Sequence, residues 1–533
     1  NNHKLIIIMS QFSLTKDEER SKPFVNGARI LINGEIREWT GTCSNVTSPI
    51  LNENGDRIVI GTIAMMAASD AVEASNAAKA AWNTGRGKWP QMSMKERIES
   101  IQNLVENLKA IRSEITKVLM WEICKNVADA GAEFDRTVLF IEATINAIRE
   151  IDARDGGYKT VSGVQAKVRR AGIGAMLAMG PFNYPFNETY TTLIPALLMG
   201  NTVVMKIPTV GGLAHVLTME AYAKCLPPGV MNFVSGQGRV TMGPVMKTGV
   251  DLFAFIGGSN SADTLLKEHP APHRLKVWLS LEGKNLAIIA PDADVDVAVE
   301  QCVLGSLTYN GQRCTAIKMI FVHSDLAESF TTKFIAKVAN LKAGLPWSDG
   351  VSITPLPEPT RPGYLQSLVE DAVSKGAKVM NSHLGGGRLD GNLFHPAVVA
   401  PVTQDMKLWH EEQFGPVVPI AYYSDRKEVE DYIQKMHYGQ QAAVFSSDSV
   451  SIAHWVDLLS TAVGRININT QCGRSPDVFP FSGRRSSALG TLSVTEALTA
   501  FSVETVLACK ATPVNGELIK QAEKSSNFLA PYV

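Results

Sequence analysis

The spacing of hydrophobic positions changes character along the chain. From about Ala64 to Glu150, apolar residues recur at helical intervals through "AMMAASDAVEASNAAKAAW" and "KERIESIQNLVENLKAIRSEITKVLMWEIC", which predicts helices with apolar stripes. Beyond them, "AGIGAMLAMG", "NTVVMKIP", "MNFVSG", "LFAFIGG" and "LAIIAP" are short apolar runs bounded by Gly, Asn or Pro and separated by segments of helical length. Runs of this kind are strands buried on both faces of a parallel sheet, so a doubly wound α/β sheet is expected from about 170 to 290. A second α/β series starts near Asp292, with "DADVDVAVEQCVLGSL" and "DLAESFTTKFIAKVANLK" as helices around the strand "MIFVH", and runs to about 480. In "KVWLSLEGKNL" (276–286) Val277, Leu279 and Leu281 fall on one face of a strand, and Trp278, Ser280 and Glu282 on the other.

Composition narrows the function. The 533 residues carry a net charge of −1, with 45% hydrophobic and 19% charged residues. That balance excludes nucleic acid and an anionic membrane as main partners, and requires any anionic ligand to be met by a local Arg or Lys cluster. The seven cysteines are odd in number, scattered and without a C-x-x-C, which points to a reducing compartment and to neither a disulfide framework nor a metal site. The apolar run Leu5–Met9 is too short for a signal peptide or a membrane span, so a soluble, cytoplasmic protein is expected, with Met9 as its natural initiator.

The strongest chemical signal is "TYNGQRCTAIK" (308–318). Cys314 follows a turn and Arg313, an arrangement expected to expose the sulfur and lower its pKa. Beside it stand "GPFNYPFNETYTTLIPALLMGNTVVMKIPT" (180–209), "HEEQFGPVVPI" (410–420) and "SPDVFPFSGRRSSALG" (475–490). In this order the four motifs resemble the aldehyde dehydrogenase superfamily over about 40–510, most closely its non-phosphorylating, NADP-dependent glyceraldehyde-3-phosphate dehydrogenase branch.

The resemblance implies the aldehyde dehydrogenase fold: two doubly wound parallel-sheet domains plus a bridging β-element for oligomerisation. The expected division is an NADP-binding domain at 25–291 containing bridging strands at 158–172, a catalytic domain at 292–485, a C-terminal bridging segment at 486–510 and a tail at 511–533. It implies a homo-oligomer, a dimer or tetramer. Cys314 takes the nucleophile's role and Asn183 that of the oxyanion-stabilising amide, with the Cys314 backbone N–H. Glu412 is expected to hold the nicotinamide ribose and Lys206 the adenosine ribose. Thr209 stands where NAD-preferring relatives often carry a Glu, so a 2′-phosphate is not repelled and the cofactor is expected to be NADP. Gly257, Gly258 and Ser259 are expected to bring a helix N-terminus to the pyrophosphate. "SGQGRVTMG" does not complete G-x-G-x-x-G, because Thr241 takes the last place. Arg136, Tyr184, Arg313 and Arg474 match positions that bind substrate phosphate and hydroxyl, which makes a small phosphorylated aldehyde the expected substrate.

One position breaks the pattern. The family's deacylation base lies 34 residues before the nucleophile, and here that place belongs to Ser280, while Glu282 replaces the first Gly of E-L-G-G-K. Ala488 and Gly258 also depart from the pattern. Three resolutions stand. Glu282, one strand repeat along, is the displaced base; or Ser280 helps hold a water while Glu282 pairs with Lys284; or another acceptor, coenzyme A or phosphate, resolves the thioester. The first two resolutions belong to non-phosphorylating oxidation of D-glyceraldehyde 3-phosphate, the expected function, and the third to an acylating semialdehyde dehydrogenase; the departures at 258, 280, 282 and 488 leave a catalytically silent homologue as a further alternative.

Overall fold

The computed structural model describes residues 12–532, so Met9, the expected initiator, lies outside the described residues. Helices fill much of the early stretch, as Ala68–Trp82, Met94–Ala110, Arg112–Glu122 and the 29-residue Val127–Asp155. Behind them lies a sheet of five parallel strands in the order Lys276–Ser280, Leu252–Ile256, Ala175–Met179, Thr202–Lys206, Met231–Val234, with Ala488–Leu489 antiparallel on one edge. Both faces are covered: Met176 and Ala178 point into one hydrophobic cluster, Ala175 and Leu177 into another. Strand order reverses between Ala175–Met179 and Leu252–Ile256, and a crevice opens beyond their C-terminal ends.

The second sheet runs Lys378–Val379, Ala397–Ala400, Val417–Tyr423, Ile317–His323, Asn285–Ile289, Gln441–Phe445, Arg465–Ile468, all parallel except the first. The strand of "LAIIAP", expected to continue the first sheet, lies inside the second, between Ile317–His323 and Gln441–Phe445. The chain therefore changes sheets at 281–284, ahead of the expected boundary at 291. Leu286 and Ile288 face one cluster while Ala287 and Ile289 face another. A strand apolar on both sides fits the interior of either sheet, so its pattern does not say which.

Lys159–Val161, Val164–Gly172 and Ser502–Lys510 form a separate antiparallel sheet from the segments expected to bridge. The tail packs back on it: Arg169 donates to the carbonyls of Leu529 and Ala530, and Tyr532 is buried.

Candidate active site

Strand Lys276–Ser280 ends the first sheet and Asn285–Ile289 enters the second, so the linker between them crosses the gap between the sheets. A cavity of about 880 Å³ occupies this gap, bordered by Gly180 and Gly257 at the crevice, by Ser280 and Glu282 on the linker, and by Cys314.

Cys314 is presented by a strained turn. Tyr309, Asn310 and Gly311 all have left-handed backbone (φ 49°, 57° and 69°), which costs of order 1–3 kcal/mol at each non-glycine position. Tertiary hydrogen bonds hold it: Tyr309 Oη donates to Ile123 O at 2.8 Å, and Asn310 exchanges bonds of 3.0 and 2.9 Å with Thr354. Asn285 Nδ2 donates to the carbonyls of Cys314 and Ala316, fixing the start of the next strand. Asn183 Nδ2 donates to Gln312 O at 2.8 Å, which brings the expected oxyanion amide against the turn that carries the nucleophile.

The thiol's electrostatics differ from expectation. Burial pushes the Cys314 pKa up and the Glu188 carboxylate adds to the rise, while Lys318 and Arg474 oppose it. Arg313 is not the lowering neighbour: its Nη2 donates to Leu304 O and Gly305 O at 3.2 and 2.9 Å. These carbonyls lie in the last turn of helix Val295–Leu307, at the negative end of its dipole, and draw the guanidinium even though Leu304 O also accepts from Thr308 N and Oγ1.

All four expected substrate residues, Arg136, Tyr184, Arg313 and Arg474, line this cavity. Arg136 forms a fork with Asp477 (2.7 and 3.0 Å), and Arg474 pairs with Glu188 and lies 3.4 Å from Asp477. Arg474 Nη2 is buried without a partner. Tyr184 lines the same cavity, its ring covered by the Lys125 ammonium 3.2 Å from the centroid. Lys125 and Glu133 form a fully buried ion pair, and Glu133 Oε1 accepts from the N–H groups of Phe186 and Asn187 at 3.0 and 3.1 Å. That pair anchors the segment 183–187.

On the opposite side, Glu412 Oε1 accepts from Lys318 Nζ at 2.7 Å and from Gly283 N at 3.1 Å. Glu411 takes a bond from Tyr364 Oη. Lys206 ends its strand buried, its pKa pushed down to about 8 by burial, and Thr209 beyond it is exposed. Lys206, Thr209 and Ser259 lie outside the cavity lining. Gly258 caps helix Ser259–Lys267, and a Cβ there would stand 3.3 Å from Glu282 Oε1.

Glu282 is not where strand alternation places it. The strand stops at Ser280, so the i, i+2 relation does not extend to residue 282. Its Oε1 accepts from Ser259 N at 2.9 Å and from Ser259 Oγ at 3.1 Å, and its Oε2 is buried without a partner. A carboxylate is stabilised there by the unpaired N–H groups and dipole of the helix N-terminus. The expected Glu282–Lys284 pair does not form: Lys284 Nζ donates to Glu411 O and Gln413 Oε1, both at 2.7 Å.

Sequence reasoning passed over Lys318, Asn285, Glu188 and the Lys125–Glu133 pair. Lys318 carried a readable signal, since a lysine in the otherwise apolar "AIKMIFVH" strand requires a buried partner.

A family model described as the aldehyde dehydrogenase family matches residues 39–506. An NADP-dependent glyceraldehyde-3-phosphate dehydrogenase of Streptococcus equinus is 33% identical over 500 residues, covering 92% of this chain and 98% of the relative. A glutarate-semialdehyde dehydrogenase of Pseudomonas putida is 29% identical over 468 residues, covering 86% and 93%. Among solved structures, an NADP-dependent glyceraldehyde-3-phosphate dehydrogenase of Bacillus halodurans complexed with NADP superposes with a TM-score of 0.83 at 30% identity, covering 91% of this chain and 100% of that one.

Proposed function

The chain belongs to the aldehyde dehydrogenase family, oxidoreductases acting on aldehydes, and on that premise we propose that it oxidises D-glyceraldehyde 3-phosphate to 3-phosphoglycerate with NADP, without phosphorylation. The observation that carries this reading is one cavity wall bearing Cys314, Asn183, Tyr184, Arg136 and Arg474 together.

The residues fit a dinucleotide. The crevice at the strand reversal opens into the cavity, Lys206 supplies a buried cation at a strand end, and no carboxylate stands at Thr209 to repel a 2′-phosphate. Glu412, braced by Lys318, would hold the ribose hydroxyls, and the N–H of Ser259 the pyrophosphate once Glu282 leaves it. NADP, when bound, supplies the hydride acceptor. Cys314, as thiolate, attacks the aldehyde carbon, and the Asn183 amide and Cys314 N–H stabilise the developing oxyanion. Loss of hydride leaves a thioester on Cys314. Arg474 Nη2, buried and unpartnered, offers an N–H to a substrate oxygen, and Arg136 offers a second cation. Water then releases the acid and the thiol.

The test is NADPH formation by the purified protein. Continuous turnover of glyceraldehyde 3-phosphate is expected without added acceptor, with kcat/KM about 10²-fold or more above unphosphorylated glyceraldehyde, as one or two charge-assisted contacts supply. No NADPH while NADP still binds would refute the reading in favour of a silent homologue. A second reading, acyl transfer to coenzyme A or phosphate, is favoured by Ser280 in the base's place; turnover that needs either acceptor would establish it.

Glu282 yields a separate expectation. Neutralising it as Glu282→Gln removes the anion competing with a pyrophosphate for Ser259 N, so NADP is expected to bind about tenfold tighter by calorimetric titration. Unchanged or weaker binding would show that Glu282 does not compete there.

A further inference from the structure

We propose that Glu188, rather than Glu282, is the base that draws a proton from the water hydrolysing the Cys314 thioester. The inference rests on the thioester reading above and names the group that completes it.

Five glutamates line the cavity: Glu188, Glu282, Glu358, Glu411 and Glu412. The four besides Glu188 each hold a partner outside the substrate wall. Glu282 is bound to Ser259, with Oε2 shut off from solvent. Glu358 holds Arg361, Glu411 holds Tyr364, and Glu412 is shared by Lys318 and Gly283. Glu188 stands in the first turn of helix Asn187–Leu198, five residues after Asn183, whose amide grips the Cys314 turn. Its side chain is 12% exposed, with Oε2 ion-paired to Arg474. Oε1 accepts no hydrogen bond from the described residues and is not shut off from solvent. The Glu188 charge raises the pKa of the Cys314 thiol, which places the two groups within electrostatic reach of one another.

A first-turn glutamate also suits the helix dipole, but this one is aimed at an arginine of the substrate wall. Substrate phosphate arriving at Arg474 competes with Glu188 for the guanidinium, so filling the site loosens the carboxylate. In the step itself, the water oxygen bonds to the acyl carbon while its proton passes to Glu188. The C–S bond then breaks and its electron pair returns to sulfur. The acid leaves, and Glu188 returns its proton to solvent.

The experiment uses rapid mixing of the full chain with NADP and glyceraldehyde 3-phosphate, in wild type and Glu188→Gln. Expected for the variant is a burst of one equivalent of NADPH, then steady turnover lowered about 10²-fold or more, with an acyl adduct on Cys314 by intact-protein mass. Added hydroxylamine, which attacks thioesters without a base, is expected to restore turnover. Steady turnover within about threefold of wild type would overturn the proposal. So would loss of the burst together with turnover, which would assign Glu188 to holding Arg474 or the fold. Wild type giving no NADPH at all would instead overturn the underlying reading.

Discussion

Replacing Cys314 by Ser is expected to lower NADPH formation at least about 10⁴-fold and to abolish both burst and acyl adduct, while NADP binding persists. The size follows from the surroundings of the nucleophile. Even the native thiol is held above its ordinary pKa by burial and by Glu188, and Arg313, the nearest cation in sequence, is spent on helix carbonyls. A serine hydroxyl is far less acidic than the thiol and a much weaker nucleophile at the same pH. The same shift fixes a pH dependence. A raised thiol pKa means that the thiolate is scarce at neutral pH and grows as pH rises. The burst rate in wild type is therefore expected to climb between about pH 7 and about pH 9 instead of levelling off near neutrality. A burst already flat by about pH 7 would mean that a bound ligand or a rearranged Arg313 lowers the thiol, contrary to the geometry.

What was readable in the sequence, and what was not, follows from the range of the interactions. The apolar runs from Ala175 to Ile256 announce strands because burial on both faces is a local property. Their sheet membership is not local, which is why Asn285–Ile289 was expected in the first sheet and lies in the second. Alternation at 276–286 is sound up to Ser280 and misleads at Glu282, because nothing in the side-chain pattern marks where the pairing ends. The "NG" dipeptide signals a turn before Cys314, but the left-handed backbone of Tyr309 and Asn310 is held by contacts distant in sequence, Tyr309 with Ile123 and Asn310 with Thr354. Arg136 and Arg474 were found by their motif places, yet their partner Asp477 lies 341 residues from Arg136 in sequence. The motif locates the cations; the fold decides how much of their charge is already answered.

Lys125→Met is expected to destabilise the protein by about 3–5 kcal/mol and to lower activity in the fraction that remains folded. Lys125 and Glu133 have no exposed side-chain surface, so removing the ammonium leaves a carboxylate buried without its counter-ion. Total stabilities of roughly 5–15 kcal/mol make this a large share, readable as a lower denaturant midpoint at an unchanged slope. The functional part follows from what the pair holds. Glu133 Oε1 takes the N–H groups of Phe186 and Asn187, and Lys125 lies against the rings of Tyr184 and Tyr309 at 3.2 and 4.9 Å from their centroids. One buried pair thus joins the segment carrying Asn183 and Glu188 to the strained turn carrying Cys314. With Lys125→Met, kcat is expected to fall more than KM rises, because the loosened segments carry the reacting groups rather than the arginines. Glu133→Gln, paired with Lys125→Met, keeps an oxygen for the two N–H groups without burying a charge, and is expected to recover much of the lost stability. A loss under about 1 kcal/mol in the single variant, or no recovery in the double, would mean that the pair is hydrated or replaceable rather than the anchor of both loops.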